Sequence, residues 1–404
     1  IALLAALVAA SPALAGAKLK INDKTMIDLG FRLQALYIQD DADINLDGSL
    51  ASIDTFKIRR ARLRVKAVIG DHVEMFIQTE AGSGAGGSGL DMRIIDAFIN
   101  LKVNPWAQII AGLNMAPASR QNLTSSGALM AIDRPGIAYK SLTWGARALR
   151  SFSNRTYAGS TGNFSPPVAV RDTGVTLFGS GGVGDNLHLK YYLGVYDGDP
   201  RLGQDTFRTT ARVQVNLWDA EAGYFNSSTY LAKKRTLGIG ASYDSQSDVG
   251  RVAFDDGDVS GILGADYTYY TVDAFLEMPF GEGLALTAEA AYQALDFDSI
   301  TTSNPGVDPT VYQRSAGDGF YVQAGIYVNK WQPWVEYETW SSDDPSGLGN
   351  LDGYRVGITY YLEGQNANIK AGYENFSTDV PFGIADGADE DSASAVVVGL
   401  YVTY

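Results

Sequence analysis

The chain has 404 residues, with 31 Lys+Arg against 46 Asp+Glu and a formal charge of -15. The absence of cysteine excludes a disulfide framework, thiolate chemistry, cysteine-ligated iron–sulfur clusters and covalent haem attachment. The two histidines, His72 and His188, leave any zinc or acid/base centre dependent on carboxylates, and the acidic balance opposes nucleic-acid binding, which needs local positive charge.

Residues 1–15 are small or apolar and close on Ala13-Leu14-Ala15, an A-x-A cleavage pattern. They read as the remnant of an export signal, with residues 16–404 as one domain. Beyond them no stretch approaches the roughly 18–20 apolar residues that a spanning helix needs. The destinations this leaves are the periplasm, the medium, or a membrane crossed by strands.

Alternation with period two then runs along the chain, the signature of strands. Ile27, Leu29, Phe31, Leu33, Ala35 and Tyr37 oppose Asp28, Gly30, Arg32 and Gln34. Next, Asp43, Asn45, Asp47 and Gly48, with Asp54 in twelfth place, resemble a D-x-N-x-D-G calcium loop, whose oxygens suit Ca²⁺. A solvated acidic loop is the alternative reading. Ala61, Leu63, Val65, Ala67 and Ile69 oppose Arg60, Arg62, Arg64 and Lys66, and after Gly70-Asp71 the pattern resumes with Glu74 and Glu80 on the polar side. Ala81–Gly89 lacks the Lys-Ser/Thr ending of a phosphate cradle. The segments 114–136 and 152–172, carrying Arg120, Arg134, Arg155 and Arg171, are long enough to fold inward. Further rows put His188 and Lys190, then Arg212, opposite apolar faces, and the last row ends at Tyr404. Acidic clusters at 255–258 and 386–391 could recruit divalent ions or bridge lipopolysaccharide, although acidic outer loops need no such role. No Ser/His/Asp constellation is legible, so an enzyme is not expected.

No helical pattern long enough for βαβ units interrupts the rows. A transmembrane barrel is favoured over a soluble sandwich or β-helix by three features. The segments suit tilted crossings, short connections (70–71, 104–106, 281–283, 329–333, 363–366) alternate with long polar ones (40–55, 81–90, 244–258, 296–318, 341–352, 377–394), and aromatics gather near segment ends (Trp106, Tyr139, Trp144, Trp218, Trp331, Trp334, Trp340). The fold class is therefore all-β, a transmembrane antiparallel barrel of about sixteen strands, with eighteen as the alternative count.

In such a barrel the polar parity lines water. The expected pore-lining residues are Arg32, Arg60, Arg62, Arg64, Lys66, His188, Lys190 and Arg212. The Arg60/Arg62/Arg64/Lys66 row either guides anions or braces the wall by pairing Arg62 or Arg64 with Glu74.

Three patches carry a family resemblance: Phe56-Lys57-Ile58-Arg59-Arg60-Ala61-Arg62-Leu63-Arg64, Tyr191-Tyr192-Leu193-Gly194-Val195-Tyr196-Asp197-Gly198, and the aromatic terminus Tyr401-Val402-Thr403-Tyr404. The sequence resembles the phosphate-selective porin O and P family of Gram-negative outer membranes, although it ends in Tyr rather than the commoner Phe. The resemblance implies a trimer of sixteen-stranded barrels in the outer membrane, among lipid and lipopolysaccharide, with inward loops and an arginine ladder. The acidic long loops, which lack a lysine cluster, depart from a strongly anion-selective mouth. The expected function is passive diffusion of small hydrophilic solutes or ions, with a mild anion preference and no cofactor, unless the loop at 43–54 holds a structural calcium. The alternative is a barrel that sheathes a multihaem cytochrome as its partner.

Overall fold

The computed structural model describes residues 17–44, 50–83, 90–135, 170–198, 205–255, 258–302, 316–343, 345, 350–377, 379 and 392–404. Its strands are β1 (Ala17–Asn22), β2 (Thr25–Ile44), β3 (Leu50–Ile69), β4 (Val73–Ser83), β5 (Leu90–Asn104), β6 (Ala107–Met115), β7 (Arg171–Gly184), β8 (Leu187–Tyr196) and β9 (Arg208–Trp218). The second half contains β10 (Thr236–Asp255), β11 (Asp258–Gly281), β12 (Leu284–Thr302), β13 (Gly317–Val328), β14 (Trp331–Ser342), β15 (Leu351–Tyr361), β16 (Ala367–Ser377) and β17 (Ser392–Thr403). A single helical turn, α1 (Arg120–Leu123), follows β6.

Each strand from β2 to β17 pairs antiparallel with its chain neighbours, and β17 returns to β2 with Val398 opposite Tyr37. These sixteen strands form a closed barrel, as expected. Closure matters because every backbone N–H and C=O within a bilayer must find its partner inside the protein. β1 folds back on β2 below the point where β17 ends, with Ala17 opposite Leu29 and Thr403 opposite Arg32.

The alternation has its physical counterpart in burial. Along β14, Gln332, Trp334, Glu336 and Glu338 are buried while Trp331, Val335 and Tyr337 are exposed. Outward positions around the barrel carry Leu63, Val65, Ile77, Leu193, Val213, Val272, Val356 and Leu400. Aromatic pairs stand on the outer face toward both ends: Trp331 with Tyr360 at 4.4 Å and Phe31 with Tyr404 at 5.3 Å near the short turns, and Phe320 with Tyr337 at 6.0 Å nearer the long connections. Trp334 and Trp340 correct the expectation of a purely outer girdle, because both point inward and are buried. Tyr139 and Trp144 lie outside the described residues.

The expected long loops at 40–55 and 244–258 are largely strand. Ile44 pairs with Leu50, and Asp255 with Asp258. Polar residues continue the ladder there because strands projecting beyond lipid need no apolar face. Asp43 thus lies opposite Ala51, and the exposed Asp54 lies opposite Gln39 and accepts a hydrogen bond from Tyr37 Oη at 2.9 Å. Asn45 and Asp47 lie outside the described residues, so the calcium reading rests on the sequence alone. Among the described residues no cluster of three or more His, Asp or Glu is arranged to hold a metal.

Candidate functional site: the barrel interior

Two segments enter the lumen from opposite ends. Residues 116–135 follow β6 at the long-connection end. Residues 219–235 join β9 to β10 at the end where the other connections are tight turns. This second segment was not foreseen. Its signal was the unexplained gap between the alternating rows that end at Leu217 and restart at Leu237.

The segments meet backbone to backbone. Ser125 N donates to Asn226 O, Asn226 N to Leu123 O and Ser228 N to Ala128 O, each at 2.9 Å. α1 starts this contact: the Ser119 hydroxyl accepts from Asn122 N at 3.0 Å, which satisfies a free N–H of the turn. Arg120 then grips Glu221 of the other segment through two bonds of 2.8 Å and approaches Glu289 of β12 at 3.5 Å, with its guanidinium 4.0 Å above the Phe275 ring. Burial penalises both charges, but the pairing prevails: Glu221 is held at about 2, and Arg120 is raised well above its ordinary value by Glu221 and Glu289.

The rest of 116–135 is fastened to the wall. Lys370 Nζ donates to the carbonyls of Leu129 and Ala131, Thr359 to that of Met130 and Tyr401 to that of Ile132. Asp133 accepts from both Arg59 and Arg60. A groove in the wall receives the apolar tip. One register row reads Gly325, Trp334, Gly357, Gly372, and a Cβ on Gly325 or Gly372 would collide with Met130 or Ile132. Met130, Ala131 and Ile132 thereby join Trp334, Leu36, Val397 and Tyr401 in a small core inside the lumen.

The eight residues expected at the pore all lie on inward-facing parities, in different settings. Arg60 bonds Asp133 and Gln34, Arg62 bonds Glu80, Arg212 is clamped by Asp273, and Lys190 donates to Glu221 O and Asn226 Oδ1. His188 sits at the short-turn rim, 2.7 Å from Trp218 O. Lys66 shares Glu74 with Lys102. The register places Glu80, and not Glu74, opposite Arg62, which corrects the expected pairing of Glu74 with Arg62 or Arg64. Arg32 bonds the hydroxyls of Ser126 and Thr403, and among the described residues neither Arg32 nor Arg64 meets a carboxylate. Arg59 was missed because a bulge, where Gln34 faces Arg60 but Ala35 faces Ile58, turns two successive arginines inward. Of the expected constriction arginines, Arg120 and Arg134 are buried in the inward segment, Arg171 pairs with Asp96, and Arg155 lies outside the described residues.

Beneath the joined segments, toward the short turns, a chamber of about 460 Å³ remains. Seven cations line it (Arg32, Arg62, Arg64, Lys66, Lys102, Arg134, Arg171) against three carboxylates (Asp28, Glu74, Asp96). An interior of this kind can admit water, and among the described residues it presents no nucleophile–base pair.

Residues 27–182, from β2 into β7, match the family described as phosphate-selective porin O and P. An uncharacterized protein of Aquifex aeolicus (strain VF5) is 24% identical over 283 residues, covering 65% of this chain and 57% of that protein, so the match spans little more than half the relative's length. Among solved structures, the anion-selective porin from Comamonas acidovorans aligns over 94% of this chain and 100% of its own, at 11% identity and a TM-score of 0.57. The outer-membrane channel DcaP of Acinetobacter baumannii covers 97% and 100%, at 15% identity and 0.53. OmpT of Vibrio cholerae, in a trimer form, covers 95% and 100%, at 15% and 0.51. The chain has the β-barrel fold of outer-membrane porins.

Proposed function

We propose that the protein is a passive-diffusion porin of the Gram-negative outer membrane, mildly anion-preferring, with its outer face in lipid and lipopolysaccharide. The observation that carries this reading is a closed barrel, apolar outside, whose interior keeps a cationic chamber beside an inward-folded constriction. Charges lining a narrow, low-dielectric passage act on a passing ion more strongly than distant loop carboxylates, which salt screens beyond about 8 Å at 0.15 M. Arg32, Arg64 and Lys66 are the solute-facing cations in this reading, whereas Arg60, Arg62, Lys190 and Arg212 brace the wall and the inward segments. A trimer is the assembly in keeping with the trimer form of the Vibrio cholerae relative.

The same interior disfavours a sheath for a multihaem cytochrome. Such a scaffold needs a lumen wide enough for a protein, and here two segments are bonded across it and to the wall. The test is conductance of the purified protein alone in planar bilayers. Steady ohmic steps in KCl are expected. A folded barrel that inserts without conducting would overturn the porin reading.

A further inference from the structure

We propose that the chamber below the constriction selectively holds small ring carboxylates, anions of benzoate type, ahead of inorganic or aliphatic anions; this rests on the porin reading above. Electrostatics alone would make the chamber a site for any anion. Its apolar lining makes it more than that. Phe76 faces the lumen from β4 and stacks on Phe98 of β5 at 5.1 Å between ring centroids. Phe225 reaches it from the inward segment and is 37% exposed although its neighbour Tyr224 is buried. Phe76 is half-buried against the cluster of Phe98, Ile110 and Phe178, so the aromatic surface left to water is the remainder of its ring and Phe225, and it is unfavourable there until a solute covers it.

Ring and charge lie on adjacent strands. Phe76 is directly opposite Lys66, and Gln78, the next inward residue on β4, is opposite Arg64. Facing and diagonal neighbours in a sheet have Cβ atoms about 5 and 7–8 Å apart; with the Arg64 guanidinium carried over β2, the Phe76 ring and that charge stand on opposite sides of β3, with room for one ring carboxylate between them. The Arg64 guanidinium lies over Gly30 and that of Arg32 over Gly127, where a Cβ would collide with either. Such planar groups suit a carboxylate through paired N–H donors. A volume of about 460 Å³ falls within the range of small-molecule sites, about 300–1,000 Å³. Chloride or phosphate would leave the rings wet, and a neutral aromatic would leave Arg32 and Arg64 without a counter-charge.

The experiment is block of KCl current through the purified full-length protein by benzoate, acetate and benzyl alcohol added on the short-turn side. Benzoate should half-block at a concentration about tenfold below acetate, and benzyl alcohol should not block. Replacing Phe76→Ser together with Phe225→Ser should shrink the acetate-to-benzoate ratio to about two, whereas Arg64→Gln should weaken both carboxylates alike. Heat-modifiable migration verifies the folding of each variant. Equal block by benzoate and acetate, or a ratio that survives the double substitution, would overturn the proposal while leaving a conducting porin. Should the protein not conduct, the porin reading falls, and saturation-transfer NMR in detergent decides the chamber separately. Benzoate contact that the double variant loses supports it; no contact overturns it.

Discussion

The joined segments at mid-barrel and the chamber below them use the same side chains to opposite ends. Where 116–135 meets 219–235, Arg120 is enclosed by Glu221 and Glu289, and nearby Arg212 by Asp273. In the chamber, Arg32 rests on hydroxyls and Arg64 on a glycine, with no carboxylate beside either among the described residues. An arginine row in a barrel strand therefore has no fixed meaning. The partner on the next strand or on an inward segment decides whether the charge is structural or available to a solute.

The largest effect should come from unpairing the mid-barrel cluster. Arg120→Met leaves Glu221 and Glu289 buried without their partner and is expected to cost about 3–5 kcal/mol, since breaking a buried pair strands a charge. Arg64→Met should cost no more than about 1 kcal/mol, as for a partly exposed charge. Urea unfolding in detergent measures both, and equal losses would erase the distinction between the two regions.

The glycine row offers a second way to separate them. Gly372→Val puts branched carbon where Ile132 packs and should cost about 1–3 kcal/mol by overpacking. It should also raise single-channel conductance as the tip of 116–135 lifts from the wall. Lower conductance would mean that the tip does not limit the pore.

Acid should unpair the joined segments. Glu221 titrates at about 2 in the folded protein against about 4.3 when free, so its bond to Arg120 stabilises fully above pH 4.3 and is lost as pH falls toward 2. Loss of this bond should change conductance below about pH 4. Conductance unchanged between pH 5 and pH 2 would contradict this assignment.

Much of this architecture is legible in the residues themselves. The inward position of Arg62, Arg64 and Lys66 follows from parity, and the turn at 70–72 from Gly70-Asp71. Parity does not convey register, which is why Glu74 looked like the partner of Arg62 until the hairpin set Glu80 opposite it. Nor does it convey bulges: Arg59 belongs to the outer parity by counting, and only the extra residue opposite Gln34 and Ala35 turns it to Asp133. The inward path of 219–235 depends on contacts distant in sequence, Arg120 with Glu221 and Leu123 with Asn226, which no local pattern encodes.

The smallest effect is the most direct test of the claim that charge availability, and not charge count, sets selectivity. Reversal potential is measured across a planar bilayer under a KCl gradient for the native protein, for Arg32→Gln with Arg64→Gln, and for Arg212→Gln. The native channel is expected to favour chloride mildly, the double variant to shift toward potassium by several millivolts, and Arg212→Gln to leave selectivity nearly unchanged while lowering stability. Equal shifts in the two variants, or a native channel that strongly favours potassium at high salt, would contradict the account.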